Sequence, residues 1–145
     1  MVSIDDNLIC SVYEDNKINI YNCHVANNKV IFELEKSYTV DRVSCLTMEC
    51  ENSKIWLAVC SNLNLKLYVC EDEEWDDTYR ILYHNESKLN RVLFQESSDD
   101  ELLVISKDDS NSIKIYDIDN DEYRLNVIKT MKYDENNLEL RLLLE

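Results

Sequence analysis

The side chains best suited to metal ligation or nucleophilic chemistry in this chain of 145 residues are two histidines, His24 and His84, and six cysteines, Cys10, Cys23, Cys45, Cys50, Cys60 and Cys70. A structural zinc site takes its ligands in close pairs, because one tight turn must present two of them to a single tetrahedral ion. Cys45 and Cys50 have four residues between them and no second pair to join. The spacing therefore predicts no metal site. Phosphate-binding loops and dinucleotide fingerprints require glycine, and the chain contains none. The densest carboxylate run, Glu71, Asp72, Glu73, Glu74, Asp76 and Asp77, lacks the glycine and the ligand spacing of a calcium loop. Nothing in its neighbourhood points to a concave site that would tune a carboxyl for acid–base work. The expectation is a solvated loop in a protein that is not an enzyme and holds no cofactor.

Charge narrows the partners. Thirty acidic residues against 15 basic ones leave a formal net charge of -15, a surface that repels phosphate, so no nucleic-acid binding is expected. The plain reading of this acidity is a solvated surface, and a basic protein partner is the sharper one. The opening residues show no basic segment followed by an apolar one, and no apolar run approaches the roughly 18 residues of a membrane span. The reading is a cytoplasmic protein, with the nucleus left open, without membrane insertion, and with reduced cysteines. Asn85-Glu86-Ser87 is formally a glycosylation sequon but carries no weight in that setting. Proline is absent as well as glycine. Asn and Asp, which tolerate left-handed backbone better than other residues with a Cβ, must then make the turns, at some cost in strain.

The elements that would position these residues repeat. Lys17 to Tyr21 (KINIY), Leu65 to Tyr68 (LKLY) and Ile113 to Tyr116 (IKIY) alternate apolar and polar residues and end in tyrosine, spaced 47 and then 48 residues apart. Period-two alternation marks a strand with one buried face. An apolar strand ending in serine precedes each: Leu8 to Ser11, Trp56 to Ser61 and Leu102 to Ser106. Short segments rich in Asn and Asp join the pairs, as tight hairpins require. Val43 to Met48 and Leu89 to Phe94 are expected upstream, and Val30 to Leu34, Arg80 to Tyr83 and Leu125 to Ile128 downstream. The expected fold is all-β, a single domain of about three four-stranded antiparallel blades, with repeats 1–39, 40–86 and 87–134. Residues 137–145 are read as a strand opening a further blade, after a loop from Lys132 to Asn137.

Four strands per period of 40 to 50 residues mark a β-propeller blade of the WD40 type, and the residues resemble a degenerate WD40 repeat. The terminal Trp-Asp of that family appears as Tyr116-Asp117, and in weaker form as Tyr21-Asn22 and Tyr68-Val69; its Gly-His turn appears as Tyr83-His84. Lys66-Leu67-Tyr68, the acidic run closed by Trp75, His84 and Glu86-Ser87 are most similar to the WD40 scaffold of cytosolic iron–sulfur protein assembly. The WD40 component of vesicle coats and nuclear pores is similar too. The resemblance implies a protein–protein interaction scaffold. A closed propeller needs at least four blades, so either the chain is a piece of a longer one, or a partner protein or a second copy completes the ring, or the chain is a shrunken, specialised factor bound within a large complex.

In that family the histidine belongs to a buried hydrogen-bond network with a hairpin aspartate and a strand serine. His84 and Ser61 keep two of its parts, but Asn62-Leu63-Asn64 lacks the aspartate; the third repeat has Asp108 and Asp109 but no histidine upstream. Cys10 and Cys60 are placed at corresponding core positions, and Trp56 is expected inside. The candidate partner-binding residues are Arg42, Trp75 and Arg91: two cations isolated on an acidic surface, and an aromatic side chain of the type that dominates interfaces. The bland readings are simple charge balance for the two arginines and an anchor for the acidic loop for Trp75.

Overall fold

The structure, a computed structural model, describes residues 1–4, 7–134 and 139–143. These form fourteen strands: β1 (Val2–Ile4), β2 (Asn7–Glu14), β3 (Lys17–Ala26), β4 (Lys29–Thr39), β5 (Val43–Glu51), β6 (Lys54–Ser61), β7 (Asn64–Glu71), β8 (Glu74–Trp75), β9 (Ile81–His84), β10 (Leu89–Glu96), β11 (Leu102–Asp108), β12 (Ser112–Asp119), β13 (Arg124–Asp134) and β14 (Glu139–Leu143). The fold is all-β. Three antiparallel sheets follow one another along the chain, β1-β2-β3-β4, then β5-β6-β7, then β10-β11-β12-β13-β14, and none closes into a barrel. In the middle sheet the fourth place is shared by β8 and β9, which pair with the two ends of β7. Such sheets are compatible with propeller-like blades.

The hairpins are made without glycine. Thirteen non-glycine residues have positive φ among the described residues, nine of them Asn or Asp. Four consecutive pairs, Asp15/Asn16, Asn27/Asn28, Asn52/Ser53 and Asp72/Glu73, lie between paired strands. Positive φ at both central residues is the type I′ arrangement, whose twist matches that of the flanking strands. Asn and Asp carry this conformation at modest cost, but Ser53 (φ 64) and Glu73 (φ 64) bring a Cβ into a region that costs roughly 1–2 kcal/mol for an ordinary L-residue. Glu73→Gly, and Ser53→Gly likewise, is therefore expected to raise unfolding stability by about 0.5–1 kcal/mol. The gain is below the full strain because glycine also loosens the unfolded chain. Urea denaturation with an unchanged m-value checks it.

The strand registers correct one sequence alignment and sharpen another. Tyr21, Tyr68 and Tyr116 do occupy equivalent places, each on the third strand of its sheet, opposite Cys10, Leu57 and Val104 respectively. The serines do not. Ser106 lies two residues beyond Val104, on the face of Tyr116, whereas Ser61 lies four beyond Leu57. Ser11 is one beyond Cys10, which puts it on the opposite face of its sheet. Cys10 thus corresponds to Leu57 rather than to Cys60. Counted from the tyrosine's partner, the strands before the turn end alike, at Glu14, Ser61 and Asp108, so the hairpins correspond and the three serines simply stand at different places in them. The strand read from 137–145 is present as Glu139–Leu143 but opens no new sheet. It pairs with β13, Thr130 opposite Leu143 through Asp134 opposite Glu139. Lys132 to Asp134 still belong to β13, and residues 135–138, 144 and 145 lie outside the described ones.

Burial explains why the middle sheet holds the stack together. A strand covered on both faces reads as an unbroken apolar run, and β6 (KIWLAVCS) is one. Ile55, Leu57 and Val59 join Ile18, Ile20 and Tyr38 of the first sheet in one core. Trp56, Ala58 and Cys60 join Val92, Val104 and Tyr116 of the third sheet in a second. Strand β7 divides the same way, with Tyr68 and Cys70 to one side and Leu65, Leu67 and Val69 to the other. Each tyrosine of the repeat that faces a preceding sheet meets an aromatic ring from it. Tyr68 packs on Tyr38 at 4.2 Å between centroids, and Tyr116 meets Tyr83 edge-on at 4.9 Å.

Candidate interaction surfaces

The joint between the second and third sheets carries a buried polar network beside its apolar core. Asn85 is 1% exposed and Asp108 is 4% exposed. Asn85 Nδ2 donates to Asp108 Oδ2 at 3.0 Å and to the Ser87 carbonyl at 2.7 Å, while its Oδ1 accepts from Lys114 Nζ at 2.7 Å. The other oxygen of Asp108 accepts from Ser110 N, Ser110 Oγ and Ser112 N at 3.0, 2.7 and 3.1 Å. Burial by itself would raise the Asp108 pKa. The bonds from Asn85, Ser110 and Ser112 outweigh that and hold it below the ordinary carboxylate value of 3.8. Ser106 Oγ and Tyr116 Oη lie 2.8 Å apart in the same buried region. The buried network expected of His84 is therefore built on Asn85. His84 is exposed, and its Nδ1 is 3.0 Å from Asn64 Oδ1. A search for histidine passes over Asn85, although its amide supplies the same donor one residue later.

The joint between the first and second sheets uses main chain instead. The segment linking β4 to β5 is fastened to the β6–β7 hairpin, with Ser61 Oγ donating to the Asp41 carbonyl at 2.7 Å and Asn62 N to the Arg42 carbonyl at 3.2 Å. Arg42 holds φ 54, so its backbone is committed to this turn while its side chain is exposed. Nearby, Tyr38 Oη donates to the Asp76 carbonyl. Burial, then the charge of Asp76, pushes the Tyr38 hydroxyl well above its usual pKa.

The three sequence-predicted contact residues fall on three separate elements. Arg42 lies in the β4–β5 turn, Arg91 on β10 and Trp75 on β8. Arg91 is exposed beside buried Val92. Trp75 is only 6% exposed and belongs to the core between the first and second sheets, so it anchors the acidic loop and is not presented to a partner. The reason is register: Trp75 pairs with Cys70, whose side chain points into that core. The acidic run around it is partly neutralised. Arg80 clamps Asp76 through Nε and Nη2 at 2.8 and 3.1 Å, and Arg80 and Lys54 reach Glu71 at 3.4 and 3.5 Å. Arg80, Glu71 and Asp76, with Asp72, Glu74 and Asp77, line an open cleft of about 370 Å³.

A second acidic cleft of about 490 Å³ runs between the β5–β6 hairpin and the outer ends of β11 to β13, lined by Glu51, Asp100, Glu101, Asp117, Asp119 and Asp121 among others. No group of three or more His, Cys, Asp or Glu side chains is arranged to hold a metal among the described residues. Cys60 and Cys70 are poor nucleophiles, because burial first, and then neighbouring thiol or carboxylate charge, pushes their pKa up to about 12 and about 11. No helix among the described residues is long and apolar enough to cross a membrane.

The two ends of the stack are apolar and open, which sequence reasoning missed. On the outer face of the first sheet, Leu8, Val12, Phe32 and Leu34 are exposed, the last two by 58% and 59%. Tyr21 and Phe32 meet edge-on there at 6.2 Å. On the outer face of the third sheet lie Leu93, Leu103, Ile105, Ile113, Ile115 and Met131, and none of them belongs to either core. Compared with protein-family models and with curated proteins, the chain matches none.

Proposed function

We propose that the chain is a non-enzymatic protein–protein interaction scaffold of degenerate WD40 propeller blades. The observation that carries this reading is the constellation of Asn85, Ser106, Asp108 and Tyr116 at the joint of the second and third sheets. It corresponds to the buried histidine, serine and aspartate network of such blades, with asparagine in place of histidine and tyrosine in place of tryptophan. A scaffold works by holding loops in fixed positions for partner side chains to meet, and a hydrogen-bonded network across the joint keeps neighbouring hairpins in register. Arg42 and Arg91 are the cations this surface would offer to an acidic partner group. The acidic clefts suit a basic partner.

Within that class, the acidic hairpin from Lys66 to Ser87 favours a docking role like that of the cytosolic iron–sulfur assembly scaffold. A coat or pore subunit is the second reading, favoured by the open outer faces, which a partner's sheet would cover. A cytoplasmic location belongs to both. Affinity capture with the intact chain and mass spectrometry separates them. Iron–sulfur assembly proteins are expected, recovered at a level that Arg42→Glu with Arg91→Glu lowers at least several-fold. Coat or pore proteins instead would favour the second reading. A chain that captures neither would sink the scaffold assignment.

A further inference from the structure

We propose that two copies of this chain associate head to tail, the outer face of the third sheet of one copy packing on the outer face of the first sheet of the other. The inference concerns the ends of the stack rather than the loops of the first scaffold reading, so either can fail without the other; with the coat or pore reading it competes for the same faces.

The sheets stack in a single sense. At both internal joints a tyrosine-bearing face packs against the opposite face of the sheet before it: Tyr68 against Tyr38, and Tyr116 against Tyr83. Tyr21 is the equivalent residue of the first sheet, and its face, with Leu8, Val12, Phe32 and Leu34, packs against no other sheet among the described residues. The third sheet ends in the complementary face. Ile113 and Ile115 occupy the places that Leu65 and Leu67 hold in the middle sheet, three and one residues before their tyrosines. Met131, opposite Ile113, stands where Tyr38 and Tyr83 stand opposite Ile18 and Leu65. One chain therefore carries both halves of the contact that it already makes twice internally. That continuity selects a second copy as the occupant.

A head-to-tail contact is heterologous and must close into a ring or run on as a filament. Two copies give six sheets, within the four to eight of closed propellers, whereas three copies give nine. Closure at two follows.

Mass measurement by light scattering on the intact chain, at about 10 μM to reach the weak end of such interfaces, is the test. The expected mass is about twice 17.2 kDa. Phe32→Glu spoils one face and Leu93→Glu the other, so each variant alone is expected to be monomeric. Mixed, they retain one intact contact between them and are expected to form a heterodimer, which a symmetric face-to-face contact would not allow. Both side chains are exposed, so thermal midpoints should match those of the monomeric form; Leu34→Glu replaces Phe32→Glu if that variant misfolds. A wild-type monomer, a variant that stays dimeric, a mixture that stays monomeric, or a ladder of higher masses overturns the proposal.

Discussion

Trp56→Ala is expected to lower the unfolding free energy by about 3–5 kcal/mol, the range for truncating a large aromatic in a packed core. Trp56 is fully buried on the middle sheet and packs in the core shared with the third sheet. Its loss opens a cavity between two sheets, where neither can collapse without breaking its own ladder. Domains of this size are stable by roughly 5–15 kcal/mol, so the variant should remain folded only marginally. Trp56→Phe provides the contrast. The indole Nε1 is buried without a hydrogen-bond partner, and a dry, unpaired donor costs roughly 1–3 kcal/mol. Phenylalanine removes that donor while keeping most of the apolar volume, so its loss should fall to about 1 kcal/mol or less. Chemical denaturation of the two variants checks the pair. A Trp56→Phe loss as large as that of alanine would show that indole volume, not the unpaired donor, controls the site.

The contrast between β6 and β3 shows how far the sequence speaks. In β6 the run Ile55 to Cys60 is apolar throughout, and a strand buried on both faces has that pattern; its central place was legible. In β3 the alternation of Lys17 to Tyr21 shows two unlike faces but cannot say whether Tyr21's face has a neighbour. Exposure of Phe32 and Leu34 depends on how many sheets precede β1, which no local pattern encodes. The tyrosine repeat survived comparison with the registers because those side chains fill one aromatic niche per joint. The serines did not, because they stand one, four and two residues past the tyrosine's partner and make different bonds, Ser61 to the Asp41 carbonyl and Ser106 to Tyr116. Which of its two readings holds for Trp75 was hidden for a related reason. A two-residue strand gives no periodicity to reveal which face it uses, and only its pairing with Cys70 turns it inward. Asn85 was overlooked because its role is set by reach across a joint to Asp108, 23 residues away.

That joint carries the second large effect. Asp108→Ala is expected to destabilise the chain by about 3 kcal/mol, since hydrogen bonds to a charged group are each worth roughly 1.5–3 kcal/mol and the donors left behind are poorly hydrated. Asn85 and Ser112 are both buried. Asp108→Asn tests whether charge or shape matters. One amide oxygen can still serve Ser110 and Ser112, but the new amino group would face Asn85 Nδ2. Rotating Asn85 to relieve that clash would turn its Nδ2 toward Lys114 Nζ. Charge should therefore matter, and the sign with pH follows. The folded-state pKa of Asp108 is depressed below 3.8, so its contribution is fully present above that unfolded-state value and is lost as pH falls through the lower folded one. The stability difference between wild type and Asp108→Asn should be constant from neutrality down to about pH 4–5 and shrink below it. Urea unfolding of both proteins across that range measures the difference directly, and the other carboxylates largely cancel because both proteins carry them. A difference that stays constant into strong acid would mean that the joint is held by the geometry of the turn rather than by the charge on Asp108.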